Sequence, residues 1–535
     1  VIPIRSRASL ANSIGGHIAC AALILCLPAA ACAETLADAI AAAYDRNPQL
    51  VQERYLQKAR DEDYVQARAQ YGPTITASVS GSYDHATQLS LAQNSKQEAA
   101  TITAQQPVYS SGQLRGQVAA AKAEILGGRE TLRQVEQETV GNVIIVYAAV
   151  LRDEARLEVG RENVEVLRSQ LLQNKKRQEV GDVTLTDVAQ SDSRLAAAEL
   201  QLASLQANLD GSRGEYLQVV GHNPGKLEPL PQLGALPPTI DAAFDLAEQN
   251  NASVLIANYT EQQSSATAAA TRGTQGPTIS LTAEGRYSQN ELFRFGLNAG
   301  TKELIGGFTI NQPLFSSGAV RSRIRQADAR NRADQAGIDL ARRAALQSVT
   351  SAWTQLSAAR IAVTTGERQV DSAQQAFAGM SCEELNGLRE TIETLNAEQE
   401  LQAAQLQLLA SRYQVYVSHA QLLAAVGDLD AQQIASNITR YDPVANFNRV
   451  KDRWLTPFSL IAMGVDRIAS ANPRGPFSSD LAGANVPKQD RVPALADAPS
   501  RALMNKPLTP IRDSRLRLPD GSEGHCPLND IRPRG

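Results

Sequence analysis

The chain repeats itself, and that constrains its fold more than any other feature. QQPVYSSGQLR at residues 105–115 returns as NQPLFSSGAVR at residues 311–321, an offset of 206. LADAIAAAYDRNPQL from Leu36 is answered by IDAAFDLAEQNNASV from Ile240, and GPTITASVSGSY by GPTISLTAEGRY, each at an offset of 204. Gly181 and Gly387, like Gly221 and Gly427, are again 206 apart. An offset held over so long a stretch means tandem duplication, so the fold is expected as two similar halves. The segment HNPGKLEPLPQLGALPPT, whose prolines and glycines cannot continue a helix, separates them. The chain thus divides into a first repeat at 34–221, a linker at 222–239 and a second repeat at 240–440.

Each half holds one very long helix. No proline occurs from Val108 to Asn223 or from Leu314 to Asp442, and both stretches are rich in helix-favouring Ala, Leu, Gln, Glu and Arg. Steps alternating three and four read Leu346, Val349, Trp353, Leu356, Arg360, Val363, Glu367, Val370, Gln374 and Phe377. The places 206 earlier read Val140, Val143, Tyr147, Val150, Glu154, Leu157, Arg161, Val164, Arg168 and Leu171, apolar against apolar and polar against polar. A seam broken by charges at matched places fits helices packed side by side around a wet interior. An ordinary long coiled coil with tolerated polar positions is the other reading. From Leu114 to Val180 such a helix runs about 100 Å. Gly181 and Gly387 break the two helices, and a second Leu/Ala/Gln-rich helix follows each. Each half therefore carries an antiparallel helical hairpin.

Upstream of each long helix the period changes to two. Ile75, Ala77, Val79, Gly81 and Tyr83 alternate with Thr74, Thr76, Ser78, Ser80 and Ser82; Ile279, Leu281, Ala283, Gly285 and Tyr287 alternate with Thr278, Ser280, Thr282, Glu284 and Arg286. One face is apolar and the other hydroxylic or charged, as a wall between lipid and water requires; a half-buried soluble hairpin would alternate in the same way. Return strands follow in TITAQQPVY and GFTINQPLF, where proline is expected to end the strand and SSG to turn the chain into the helix. Tyr71, Tyr83, Tyr109, Tyr287 and Phe315 sit near strand ends, where interfacial aromatics belong. Four strands in a bilayer would leave edge backbone groups unsatisfied, so a membrane reading compels closure with further copies of the chain.

The two ends differ from the repeats. VIPIRSR, an apolar run through IGGHIACAALILCLPAA and the small residues Ala31-Cys32-Ala33 read as a cleaved secretory signal, residues 1–33. Ala29, three residues before Cys32, lacks the leucine that a lipid-anchored start would show. Cys382 and Cys526 then remain and write no disulfide framework. Twelve of 24 prolines fall from Pro443 onward, so residues 441–535 are expected as a largely extended or disordered tail. A net charge of −4 without a basic stripe argues against nucleic acid. His17, His85, His222, His419 and His525 are scattered, and neither metal-ligand spacing nor a phosphate loop nor a nucleophile elbow appears, so no enzyme, metal or cofactor is expected.

Signal, duplication, paired hairpins, QPVYSSG and QPLFSSG at the strand-to-helix junctions, and VGDVTLTDV and NGLRETIETLNAEQEL at the hairpin tips together resemble the TolC family of outer-membrane efflux channels over residues 34–440. The resemblance implies a mainly α chain with membrane β structure. It implies a homotrimer with one twelve-stranded outer-membrane barrel, continued by a helical barrel across the periplasm. Such channels export drugs or proteins with a periplasmic adaptor and an inner-membrane transporter of the RND or ABC type. A trimeric coiled-coil surface protein without channel activity is the alternative.

The resemblance also implies a gate at the periplasmic end. Asp187 and Arg389 fall on positions of a gate-holding aspartate and arginine, and Glu393 on that of a pore-constricting acid. Asn396 stands where a second constricting acid is usual, and Glu384 where a tyrosine usually joins the network. One acidic ring in place of two implies a weaker cation-favouring constriction. On spacing alone, the same residues read as a solvated helix face or a helix cap after a glycine turn. The tips Val180, Gly181, Asp182 and Asn386, Gly387, Leu388 are the implied adaptor-docking points.

Overall fold

The structure is a computed structural model that describes residues 33–469 apart from 89–90, 293–296, 436–437 and 454–455. The expected signal, except for Ala33, and residues 470–535 of the expected tail lie outside the described residues. The first half runs α1 (Leu36–Arg46), α2 (Pro48–Ala69), β1 (Thr74–Gln88), β2 (Leu91–Tyr109), α3 (Gln113–Glu179) and α4 (Leu185–Val220). The second runs α5 (Ile240–Asn250), α6 (Ala252–Gly273), β3 (Thr278–Leu292), β4 (Leu297–Asn311), α7 (Ala319–Leu385) and α8 (Thr391–Val426). Then come α9 (Ala431–Ile434), α10 (Pro443–Val450) and α11 (Pro457–Ala469). The duplication is retained element by element: α3 and α7 have 67 residues each, and α4 and α8 have 36 each.

Local chemistry sets the boundaries. Thr35 and Asp38 form a capping box at α1, Thr184 and Asp187 do so at α4, and Asn47 caps α2, whose first residue is Pro48. At each strand-to-helix junction a serine and a glycine in succession take positive φ, Ser111 and Gly112 in one copy, Ser317 and Gly318 in the other. Glycine adopts that region without a Cβ penalty, which accounts for the repeated SSG. Gly221 and Gly427 end the hairpins in the same left-handed conformation.

The four strands form one antiparallel sheet in the order β1-β2-β3-β4. Its register aligns the apolar residues of all four. Ala77 faces Ile102, Ile102 faces Gly285 and Gly285 faces Leu304, while Leu281 faces Phe308 and Ile279 faces Ile310. The opposite face carries Thr76, Ser78, Thr101, Thr103, Thr282, Glu284, Arg286 and Glu303, with Ile305 the apolar exception. The apolar face is uncovered: Val79, Phe308 and Leu304 are 87%, 70% and 88% exposed.

Two details differ from the expected strands. Pro107 does not end β2, which continues to Tyr109 through a register shift against β3. Its counterpart β4 stops at Asn311, before Gln312 and Pro313, because no strand lies beyond β4 to pair with those residues.

In the helical body the seam packs as expected. Val140, Val143, Tyr147, Val150, Leu157, Val164 and Leu171 are buried along α3, and Val349, Trp353, Leu356, Val363, Val370 and Phe377 along α7. The interspersed Arg161 and Arg168 remain exposed. One core cluster joins α1, α3, α4 and the end of α8 to the linker residues Leu227 and Leu230. Tyr147 anchors it, its hydroxyl lying 2.8 Å from the Glu34 carbonyl and 2.7 Å from that of Glu228. A second cluster lies between α7 and α8 with part of α5.

The described part of the tail, up to residue 469, is helical in two places and not extended throughout. Residues 443–450 and 457–469 are helical and docked. Asn446 donates to Asp61, Phe447 stacks near Tyr64, and Arg68 donates to the Lys451 carbonyl. Asp466 is buried against the first junction. Pro443 and Pro457 each stand at a helix's first position, where a missing N–H costs nothing.

Candidate channel gate and docking tips

Both hairpins turn on a glycine. Gly181 has φ +81° and Gly387 φ +70°, and in each turn the next amide reaches back across the helix end: Asp182 N to the Arg177 carbonyl and Leu388 N to the Glu383 carbonyl, both at 2.9 Å. The turns expose apolar side chains. Val180, Leu185, Leu385 and Leu388 are between 66% and 80% exposed, and Asn386 folds back onto the Cys382 carbonyl at 2.8 Å.

Within one chain the structure does not bring Asp187 to Arg389. The Asp187 carboxylate accepts from Thr184 N at 2.8 Å and Thr184 Oγ1 at 2.7 Å, so it starts α4. The Arg389 guanidinium donates to Glu383 at 2.7 Å and to Glu393 at 2.8 Å, and these carboxylates raise its pKa. Glu384 is buried beside Thr391, which donates to it at 3.0 Å. Arg177 of the first hairpin lies 3.7 Å from Glu384 and pairs more closely with Asp182 at 2.7 Å.

A further residue joins the hairpins. Arg194 on α4 donates to Gln399 at 2.5 Å and to Asn396 at 2.7 Å, both on α8. Sequence reading did not single out Arg194, since an arginine on an exposed helix carries no local signal of a partner some 200 residues away. Just above, Leu395 inserts among Val164, Leu167 and Ala198, packing the second hairpin on the first. Glu398 is 1% exposed and neither of its carboxylate oxygens has a hydrogen-bond partner among the described residues. Burial pushes its pKa up to about 8.

Of the expected interfacial aromatics, Tyr83, Tyr287 and Phe315 are 62%, 45% and 88% exposed, and Tyr109 is half-buried. Tyr71 is a packing residue instead: it is 4% exposed and its hydroxyl donates to Asp466 at 3.0 Å. Among the described residues no helix is long and apolar enough to cross a membrane. On the sheet, the exposed residues Ile75, Val79, Ile102, Leu281, Leu304, Phe308 and Ile310 share one apolar face.

A small membrane sheet feeding two helical hairpins of such length defines an outer-membrane channel subunit. The chain belongs to the outer membrane efflux protein family, whose model matches residues 39–221 and 243–428. It is 30% identical over 427 residues to the outer membrane efflux protein BepC of Brucella suis, covering 79% of this chain and 92% of that one. It is 25% identical to the alkaline protease secretion protein AprF of Pseudomonas aeruginosa over 62% of this chain and 69% of AprF. Among solved structures, VceC of Vibrio cholerae superposes with a TM-score of 0.63 at 20% identity, covering 73% of this chain and 96% of VceC. The protein is an outer-membrane export channel of that family, one of transport channels.

Proposed function

We propose that the chain forms a homotrimer and serves as the passive outer-membrane conduit of a tripartite export system. Its partners would be a periplasmic adaptor and an inner-membrane transporter of the RND or ABC type. One observation carries this reading: a four-stranded sheet with an apolar band across one face, from Ile75, Ala104, Ile279 and Ile310 to Val79, Ala100, Gly285 and Leu304, and an unpaired edge on β1 and on β4. In hydrocarbon every unsatisfied backbone group costs several kcal/mol, so the sheet must close with copies of itself. Three copies of four strands make a twelve-stranded barrel. The exposed apolar tips Val180, Leu185, Leu385 and Leu388 suit adaptor docking.

The names of BepC and AprF point to efflux and to protease secretion respectively. A passive pore serves either use, with substrate choice left to the pump. For the gate, Glu393, steered by Arg389, is proposed as the constricting acid and Asn396 as its uncharged neighbour. Arg194 and Arg177 take the latch between hairpins, while Asp187 serves the helix cap.

The purified protein is expected to form trimers in detergent and ion-conducting pores in planar bilayers. Its deletion strain should become more susceptible to detergents, bile salts, dyes or antibiotics, or lose secreted proteins. A stable water-soluble product without conductance would overturn the channel reading and leave the coiled-coil surface protein.

A further inference from the structure

Helix α11 divides its side chains sharply. Ser459, Ala462 and Asp466 are 2%, 3% and 1% exposed against the first strand-to-helix junction. Phe458, Ile461, Val465 and Ile468, spaced three, four and three, form a second stripe that is 61%, 63%, 37% and 89% exposed. At 3.6 residues per turn this stripe lies about a third of a turn from the buried one. Exposed side chains this apolar need a cover, since a contiguous apolar helix face is rare on a water-bathed surface.

The position of α11 says what the cover is. Asp466 pins the helix to the point where the sheet ends: its Oδ1 accepts from Ser110 N at 3.0 Å, Ser110 Oγ at 3.1 Å and Gly112 N at 3.2 Å, and its Oδ2 from Tyr71 at 3.0 Å. At that level the structure offers two surroundings. One adjoins the polar sheet face, the other the apolar face of Ile75, Ile279, Phe308 and Ile310. Only the second suits the stripe. Cations adjoin the two junctions in the chain: Arg453 precedes α11 and Arg467 lies on it, and Arg321, Arg323 and Arg325 begin α7, all exposed. Such charges meet phospholipid headgroups favourably.

We propose that α11 is an interfacial helix, lying in the periplasm-facing phospholipid leaflet with Phe458, Ile461, Val465 and Ile468 among the acyl chains and its position fixed by Asp466. This rests on the channel reading, which puts the sheet in the bilayer. Amphipathic helices bind membranes in this manner through buried apolar area and basic residues. The chain would then have, besides its barrel, a surface anchor that sets the depth of the junction.

The test uses the full chain in vesicles of phosphatidylcholine and phosphatidylglycerol, with or without bromine on the acyl chains near the headgroup. Ile461→Trp and Ile468→Trp each add an emitter on the stripe. Leu304→Trp adds one on the apolar sheet face, and the parent gives the background of the native tryptophans. The added emission at Ile461→Trp and Ile468→Trp should fall by at least half in brominated vesicles and resist acrylamide. If Leu304→Trp is quenched but both stripe positions are not, α11 faces water or a partner subunit and the proposal fails while the channel reading stands. If none of the three is quenched, both fall together.

Discussion

Glu398 is a carboxyl that burial holds protonated well above its ordinary range. It belongs to a line of buried polar side chains at every seventh position of α8: Thr391, Glu398, Gln405, Arg412 and His419. Three are bonded, Thr391 to Glu384, Arg412 to Glu367 and His419 to the Gly234 carbonyl. Glu398 has no such partner, and its raised pKa means that the folded state binds its proton more tightly than the unfolded chain does. Its contribution is therefore fully present below the ordinary carboxyl value of 4.5 and is lost as pH rises through about 8. Above that, burial of the charge costs about 5 kcal/mol. The thermal midpoint of the purified channel should fall as pH climbs from about 5 to about 9, and Glu398→Gln should flatten that slope and raise the midpoint at the alkaline end. Parallel pH profiles for the two proteins would show that Glu398 finds a partner in the assembly. Sequence did not expose this line, because the positions 206 earlier, Asp192, Glu199, Gln206 and Arg213, lie on exposed or half-exposed surface of α4.

At the scale of elements, the hairpins were legible and their ties were not. Glycine breaks at Gly181 and Gly387 and the matched seams located both hairpins, since periodicity and turn chemistry are local. Which side chains cross between hairpins depends on how the two are rotated against each other, and that is a property of packing alone. Hence Asp187, aligned with a latch position, closes a capping box, and Arg194 makes the interhelical bonds. Arg194→Ala should change stability by no more than ~1 kcal/mol, because its bonds are exposed. It should nevertheless raise single-channel conductance in planar bilayers by loosening α4 from α8. Asp187→Asn should lower stability by about 1 kcal/mol through the weakened cap and leave conductance near the parent value. If Asp187→Asn opened the channel and Arg194→Ala did not, the latch would belong to Asp187 and Arg389 after all. The same limit explains the tail: Pro443 and Pro457 look like breakers in sequence, and only docking onto α2 and the first junction shows them starting helices.

At the scale of the whole molecule, duplication predicts how chains meet. Helix α8 buries Leu395, Glu398, Gln405 and Arg412 between α7 and α3, whereas the matching surface of α4 is largely open. Its missing neighbour is a second copy of α7, the counterpart of α3, which only another subunit can supply. The sheet repeats the argument with a register attached. Inside the chain β2 pairs with β3 so that Ile102 faces Gly285. Carrying Ile102 forward by 206 gives Phe308, and carrying Gly285 back by 204 gives Gly81. Closure should therefore set Phe308 on β4 opposite Gly81 of the partner subunit, both on the apolar face. Directly opposed residues in an antiparallel pair have Cα atoms about 4.5–5.5 Å apart, a separation a disulfide spans. Phe308→Cys combined with Gly81→Cys should thus give a covalent trimer on non-reducing gels after oxidation, while either single variant should not. A trimer that links instead through Phe308→Cys and a cysteine at Val79 or Tyr83 would keep the ring but shift its register by two. Absence of any cross-link along β1 would mean that β4 meets another edge, and the quasi-equivalence inferred from the repeat would fail.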